Sequence, residues 1–337
     1  MKEKVENEKR LRRKRCISMN LYEIRRKIGK LLPFGKLFSK FGNMKLRQKQ
    51  LVFVWTMLAI PIVHFLVFWV YVNFDSILLA FRNIDFNNGG KEYWTLDNFK
   101  EVYRLFKEGN MLHYGMNTLK FWLIGTVWGI PHSILLTYAF HKKLLGRKVY
   151  RVLLYLPSII CAVALAGIFQ SVISGNGLFG SMLLKYFGWE RVPSWFGENE
   201  YAFGMLMVYN VFFGFAGNYI LYSGAMSNVD QEITEAAYVD GVSMWQELIY
   251  IDIPLMWPTI SITIITSFAG LFGASGPILL FAPYMESTYT FGYWIFDQVR
   301  QYQAYYVPAA LGLCFTLIAF PIALLIKKVT DNMYTTE

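Results

Sequence analysis

The stretch Glu235-Ala236-Ala237-Tyr238-Val239-Asp240-Gly241, followed after nine residues by Ile251-Asp252-Ile253-Pro254, carries the most specific chemistry in this chain. That chemistry is docking. Glu235 can supply one charge-assisted contact, and the small side chains of Ala236 and Ala237 let another surface approach the backbone closely. Asn228 with Gln231, and Ser243 with Gln246, are N-cap and N3 pairings that start short helices. Between them Gly241 can take the left-handed conformation that closes the first helix. In the second, Trp245, Leu248 and Ile249 share one apolar face, and Pro254 ends it. The expectation is a helix-turn-helix over residues 228–254.

Competing chemistries lack their residues. No Gly-x-x-x-x-Gly-Lys-Ser/Thr run occurs, and Gly29-Lys30 and Gly35-Lys36 are both followed by Leu, so no phosphate-cradling loop can be built. Any ATP must be hydrolysed by another polypeptide, and no cofactor is expected in this chain. Paired carboxylates, a nucleophile elbow and a Cys-His arrangement are also missing, which leaves a polytopic membrane enzyme without support. Cys16, Cys161 and Cys314 imply no disulfide framework and read as buried structural thiols. His64 and His132 have no companion metal ligands at usable spacing and read as hydrogen-bonded structure.

The elements that must position the docking loop lie in a membrane. Hydrophobic residues make up 55% of 337 positions and charged ones 17%. Apolar runs near 51–72, 119–140, 152–173, 203–222, 257–282 and 306–326 are each long enough to cross a bilayer, and without water in the bilayer core helices satisfy the backbone. The expected fold is an all-α integral membrane protein with six transmembrane helices at 51–330, preceded by a basic cytoplasmic extension at 1–50. None of the six runs contains Asp, Glu or Arg, and Lys120 can snorkel from a helix end. Proton or sodium coupling is disfavoured, and a pump powered through a partner is favoured.

Orientation follows from Lys and Arg. Residues 1–50 hold 17 of the 33, and with Lys142, Lys143, Arg147, Lys148, Arg151, Lys327 and Lys328 one side carries 24 against nine. Both termini and the loop at 223–256 are thereby placed in the cytoplasm. That loop has no Lys or Arg, yet carries Asp230, Glu232, Glu235, Asp240, Glu247 and Asp252, which suits a partner surface with basic groups. The net charge of +10 does not indicate nucleic-acid binding, because residues 1–50 account for it. Within them, apolar and Lys residues interleave at 24–42, where an interfacial helix on anionic lipid competes with a solvated tail; 1–15 reads as disordered. The first apolar run begins only at residue 51, which argues against a secretory signal.

The loop resembles the EAA loop of bacterial ATP-binding-cassette (ABC) importer permeases: Glu-Ala-Ala, three residues, Gly, nine residues, then Ile-x-Leu-Pro. Ile253 in place of Leu is the one departure, with similar volume. Leu96-Asp97-Asn98-Phe99, Asn117-Thr118-Leu119, Leu156-Pro157 and Asn176-Gly177-Leu178 are similar, in order, to segments of sugar-importer permeases of the maltose-permease type. The large extracytoplasmic insertion of some of those permeases is missing, and the long basic N-terminus is similar to that of permeases for oligosaccharides.

This resemblance implies a multi-pass subunit of the bacterial cytoplasmic membrane. It would pair with a second permease, two ATP-binding subunits holding ATP and Mg, and an extracellular solute-binding protein delivering a sugar or oligosaccharide. Glu235, Ala236, Ala237, Gly241, Ile251 and Pro254 would form the coupling element in a cleft of the ATP-binding subunit and drive alternating access. An ABC permease for a non-carbohydrate solute is the alternative. Aromatic faces suit sugar rings and amides suit hydroxyls, so Tyr209, Asn210, Phe213, Asn218 and Tyr219, then Phe272 and Ser275, are candidate substrate contacts, against simple packing in a chain that is 18% aromatic. Gly270, Gly273 and Gly276 before Pro277 would either permit close helix packing or interrupt the fifth span.

Overall fold

The structure, a computed structural model, describes residues 45–85, 90–142, 146–214 and 216–335. Nearly all of the basic extension, including the 24–42 segment and Cys16, lies outside the described residues. The chain divides into two units, Met1–Asp75 and Ser76–Glu337. The first consists, among the described residues, of most of helix α1, Leu46–Leu79, which continues into the start of the second. Its central part, residues 51–72, is predominantly apolar on every side, as in a helix whose solvent is lipid. Pro61 withdraws one backbone donor, and a π-helical stretch at Phe65–Tyr71 follows one turn later.

The second unit opens with an antiparallel hairpin, β1 Arg82–Asp85 and β2 Lys91–Trp94, in the register Arg82↔Trp94. It is the exception among the described residues to a helical fold. The amphipathic helix α2, Asp97–Glu108, follows, and its buried Asn98 donates to Ala80 O at 3.0 Å and Arg82 O at 2.8 Å, pinning the hairpin. Next come α3 Met111–His141, α4 Arg147–Ile159, α5 Ala162–Ile173, α6 Leu178–Tyr186, α7 Asn199–Phe213, α8 Ala216–Met226 and α9 Gln231–Val239. They are followed by α10 Met244–Ala269, α11 Ile278–Phe281, α12 Phe291–Tyr302 and α13 Tyr306–Thr335. α3 packs on α8, and α10 packs on α8 and α13.

Among the described residues six stretches are long and apolar enough to cross a membrane: α1, α3, Ala162–Tyr186 spanning α5 and α6, Asn199–Met226 spanning α7 and α8, α10, and Tyr306–Met333 of α13. Their number agrees with the six apolar runs, and the third and fifth runs shift most, at both ends. The third run was expected at 152–173. The helix instead breaks at Ile160 and Cys161, both extended, one turn after Pro157, and the apolar window continues to Tyr186 through a turn before Gly177.

The fifth run was expected at 257–282, and α10 starts 13 residues earlier and stops at Ala269. Beyond it lie a 3-10 turn at Leu271–Gly273, extended Ala274 and Gly276 at φ +56, before α11. The glycine series therefore interrupts the span. Gly carries a high entropic cost in a helix, and Pro277 disfavours helical backbone at the residue before it. At the other end, Pro254 does not terminate the loop's second helix as expected. The chain passes from Met244–Glu247 through a π turn at Leu248–Asp252, and Pro254 then sits in the first turn of the following α-helical segment, where its missing N–H costs little.

Candidate functional site

Local capping builds the loop. The first helix, α9, is capped by Asp230, whose side chain accepts from Glu232 N at 3.1 Å; the expected cap at Asn228 is two residues too early. Gln231 Nε2 donates to Glu235 Oε1 at 2.7 Å, one turn apart on the exposed side. Gly241 closes the helix at φ +75. Its N–H reaches Tyr238 O at 3.2 Å and the Val242 N–H reaches Ala237 O at 3.1 Å, the two bonds of a Schellman end. Ser243 then opens α10 with a capping box: Ser243 N donates to Gln246 Oε1 at 2.9 Å and Gln246 N to Ser243 Oγ at 3.4 Å.

The loop is clamped to the end of α3. Tyr138 Oη donates to Met244 O at 2.8 Å, and Lys142 forms an ion pair with the buried Glu247. Leu248 and Met256 extend the clamp into a core with Ile130, Ile134, Tyr222, Met226 and Ile260. Of the expected apolar face only Leu248 turns inward; Trp245 and Ile249 are exposed, because the π turn rotates the residues on either side relative to a regular helix. Neither Tyr138 nor Lys142 was foreseen as part of the site. Their spacing of four at the end of a span, with cations following it on the same side as a loop that has none, was the available signal.

The remaining loop surface is both apolar and acidic. Tyr238 and Val239, the last two residues of α9, are 85% and 84% exposed, and Ile233, Met244, Trp245 and Tyr250 are exposed with them. Ile233, Tyr238 and Val239 lie outside the membrane-length apolar stretches, and exposed apolar side chains set among carboxylates there have the character of an interaction surface. Glu235 and Ala236 are exposed on it, whereas Ala237 is buried, and Ile251 and Pro254 are half-buried behind it. The expected coupling residues thus fall in one continuous element, with Glu235, Ala236 and Gly241 outward.

The candidate substrate residues do not form one group. Tyr209 and Phe213 sit with Phe169 and Phe281, ring centroids 4.9–6.0 Å apart. Tyr219 is fully buried between Phe140 and Tyr155 in a separate cluster, and Asn210 and Asn218 are half-buried. Phe272 stacks on Phe315 at 4.5 Å and lines an apolar cavity of about 480 Å³ with Gly273, Gly312 and Thr316; Ser275 is half-buried beyond it.

Residues 129–332, more than half of the chain, match the family described as "Binding-protein-dependent transport system inner membrane component". The chain is 29% identical over 162 residues to the lactose transport system permease protein LacF of Rhizobium radiobacter, covering 46% of this chain and 52% of LacF. It is 23% identical to the probable ABC transporter permease protein YesP of Bacillus subtilis, covering 80% and 87%. To the maltose/maltodextrin permease protein MalF of Vibrio vulnificus it is 32% identical, covering 38% and 24%. The chain therefore spans about half the length of LacF, about a quarter of MalF and most of YesP. The crystal structure of a bacterial ABC transporter involved in import of the acidic polysaccharide alginate shares the fold, with a TM-score of 0.71 at 22% identity over 84% of this chain and 96% of that one.

Proposed function

Because this chain belongs to the family of binding-protein-dependent transport system inner membrane components, we propose that it is the permease subunit through which a sugar or oligosaccharide enters the cell. It is a multi-pass inner-membrane permease of an ABC importer, and ATP hydrolysis lies in partner subunits. In the proposed assembly it joins a second permease to form the path, two ATP-binding subunits supply the energy, and an extracellular solute-binding protein delivers the cargo. The carrying observation is the capped helix-turn-helix at 228–254, clamped to α3 through Glu247 and continuous with span-forming α10. An element that is capped, exposed on one side and joined without a break to a membrane-length helix can convert closure of an ATP-binding subunit into movement of the path.

The carbohydrate cargo is supported by relatives whose names specify lactose, maltose and galactooligosaccharides, and by the alginate importer with the same fold. Tyr209, Asn210, Phe213, Asn218, Tyr219, Phe272 and Ser275 stay the proposed contacts. Phe272 has the strongest support because its ring lines an open cavity. Uptake into proteoliposomes containing the full complex tests this reading. The cognate solute-binding protein should gain thermal stability with a sugar, and the same sugar should accumulate only with ATP inside. Accumulation of a non-carbohydrate solute alone would replace the cargo.

The proposed orientation has its own expected result. Gln246→Cys, exposed in the loop, should be labelled by an impermeant thiol reagent only from the cytoplasmic face, and Trp94→Cys, exposed on β2, only from outside. Reversed labelling would put the docking loop on the wrong side and defeat the assignment.

A further inference from the structure

The connection between α10 and α13 contains a second cavity, of about 300 Å³, unlike the apolar one at Phe272. Its walls are aromatic, with Tyr284, Trp294 and Tyr302, and they hold two carboxylates, Glu286 and Asp297. No Lys or Arg stands among its described lining residues. The site is built rather than incidental. From α3, Asn117 Nδ2 donates to Ser287 O and Tyr289 O, both at 2.9 Å, and Thr118 Oγ1 accepts from Phe291 N at 2.9 Å. The Tyr289 and Tyr293 hydroxyls both donate to Pro283 O, at 3.0 and 2.9 Å.

Asp297 is 3% exposed, yet only one of its oxygens is firmly satisfied: Oδ1 accepts from Gln301 Nε2 at 2.6 Å. The nearest donor to Oδ2 is Tyr289 Oη at 3.4 Å, and that hydroxyl has a single hydrogen with a closer acceptor in Pro283 O. A buried carboxylate with an under-donated oxygen is costly and calls for a further donor. At Glu286 both donors, the Tyr114 hydroxyl and Asn110 Nδ2 at 3.0 Å, converge on Oε1. They hold its carboxyl below the usual glutamate value, the Tyr114 bond foremost, and so keep it charged. Tyr284 and Tyr302, 76% and 66% exposed, stand at the rim.

We propose that this cavity receives one cationic side chain, an Arg or Lys, from the solute-binding protein. The rings offer faces to the cation and Asp297 and Glu286 neutralise it. This rests on the importer reading, which puts the connection between the last two spans outside the cell. A neutral sugar would leave both charges uncompensated, and an acidic one would be repelled.

The test uses the complete transporter in proteoliposomes, titrated with its purified, sugar-loaded solute-binding protein while ATPase rate is followed at low and high ionic strength. Asp297→Asn keeps the side-chain shape and should raise the half-saturating concentration about thirtyfold or more, the scale for losing one partner of a buried charged interface contact. Tyr284→Ala, which leaves the core untouched, should shift it in the same direction, and Asp297→Asn with Glu286→Gln should flatten the dependence on salt. Half-saturation and salt dependence equal to wild type in all three variants would overturn the proposal. So would variants that change only the concentration of free sugar needed to load the system. A wild-type complex that no solute-binding protein stimulates would instead fail the importer reading itself.

Discussion

Gly241→Val is expected to remove most transport while the membrane body still inserts and pairs with its partner permease. Gly241 sits at φ +75, and no heavy atom lies within 4 Å of where a Cβ would be, so crowding is not the obstacle. The backbone is: a β-branched residue in the left-handed region costs about 2 kcal/mol or more. The loop can avoid this cost by giving up the two Schellman bonds that orient α9 against α10. At about 1.4 kcal/mol per factor of ten, the docking-competent loop falls at least tenfold in population, and coupled uptake falls with it. Gly241→Asn is the control, since Asn tolerates this conformation and should keep most activity. Glu235→Lys attacks the same surface through charge. Subunit stoichiometry, ATPase rate and sugar uptake in vesicles are the readouts. Wild-type values for all three in both Gly241→Val and Glu235→Lys would defeat the coupling assignment.

Lys142→Met should uncouple the transporter by a different route. Lys142 is the cation that neutralises Glu247, whose side chain is 10% exposed against 26% for the lysine. Removing it leaves Glu247 buried and unpaired, with the buried Asp252 five residues further along the same helix. Breaking a buried pair by deleting one member costs about 3–5 kcal/mol, and partial exposure of Lys142 reduces that to about 2 kcal/mol here. The loss falls where α3 grips α10, so ATP hydrolysis should continue with less sugar moved per ATP. Adding Glu247→Gln removes the stranded charge and should restore much of the ratio, because Tyr138 still holds Met244 O. If the single variant moves as much sugar per ATP as wild type, the clamp does not transmit force. If the double variant is no better than the single, the lost charge is not the cause.

Spans, caps and spacing are properties of short stretches of chain, and these were legible. Bilayer crossing depends on hydropathy summed over about 20 consecutive residues, which is why six apolar runs anticipated the six membrane-length helical stretches among the described residues. The Ser243–Gln246 box and the left-handed Gly241 concern groups three or four residues apart, so type and spacing predicted them before any tertiary contact was known. The cap at Asp230 escaped, because Asn228 and Asp230 are equally good capping residues by type and only the path of the chain out of α8 selects between them.

What depended on distant partners stayed hidden. Pro254 reads locally as a helix stop, yet a π turn carries α10 past it, with Leu248 and Met256 buried against α3 and α8. Tyr209 has the right chemistry for a sugar contact, and whether its ring faces a path or a core is decided by Phe169 and Phe281, which approach from other segments. Lys142 and Glu247 are 105 residues apart, and Asn117 reaches Ser287 across 170. Nothing in the local pattern marks such pairs. Composition and spacing along the chain therefore determined the candidate membrane spans and the capped helix-turn-helix between them, because hydropathy and capping act over a few turns of helix. Which carboxylates are paired, where α10 begins and ends, and which rings are core were decided only by the tertiary structure, because those energies exist only once helices remote in sequence pack side by side.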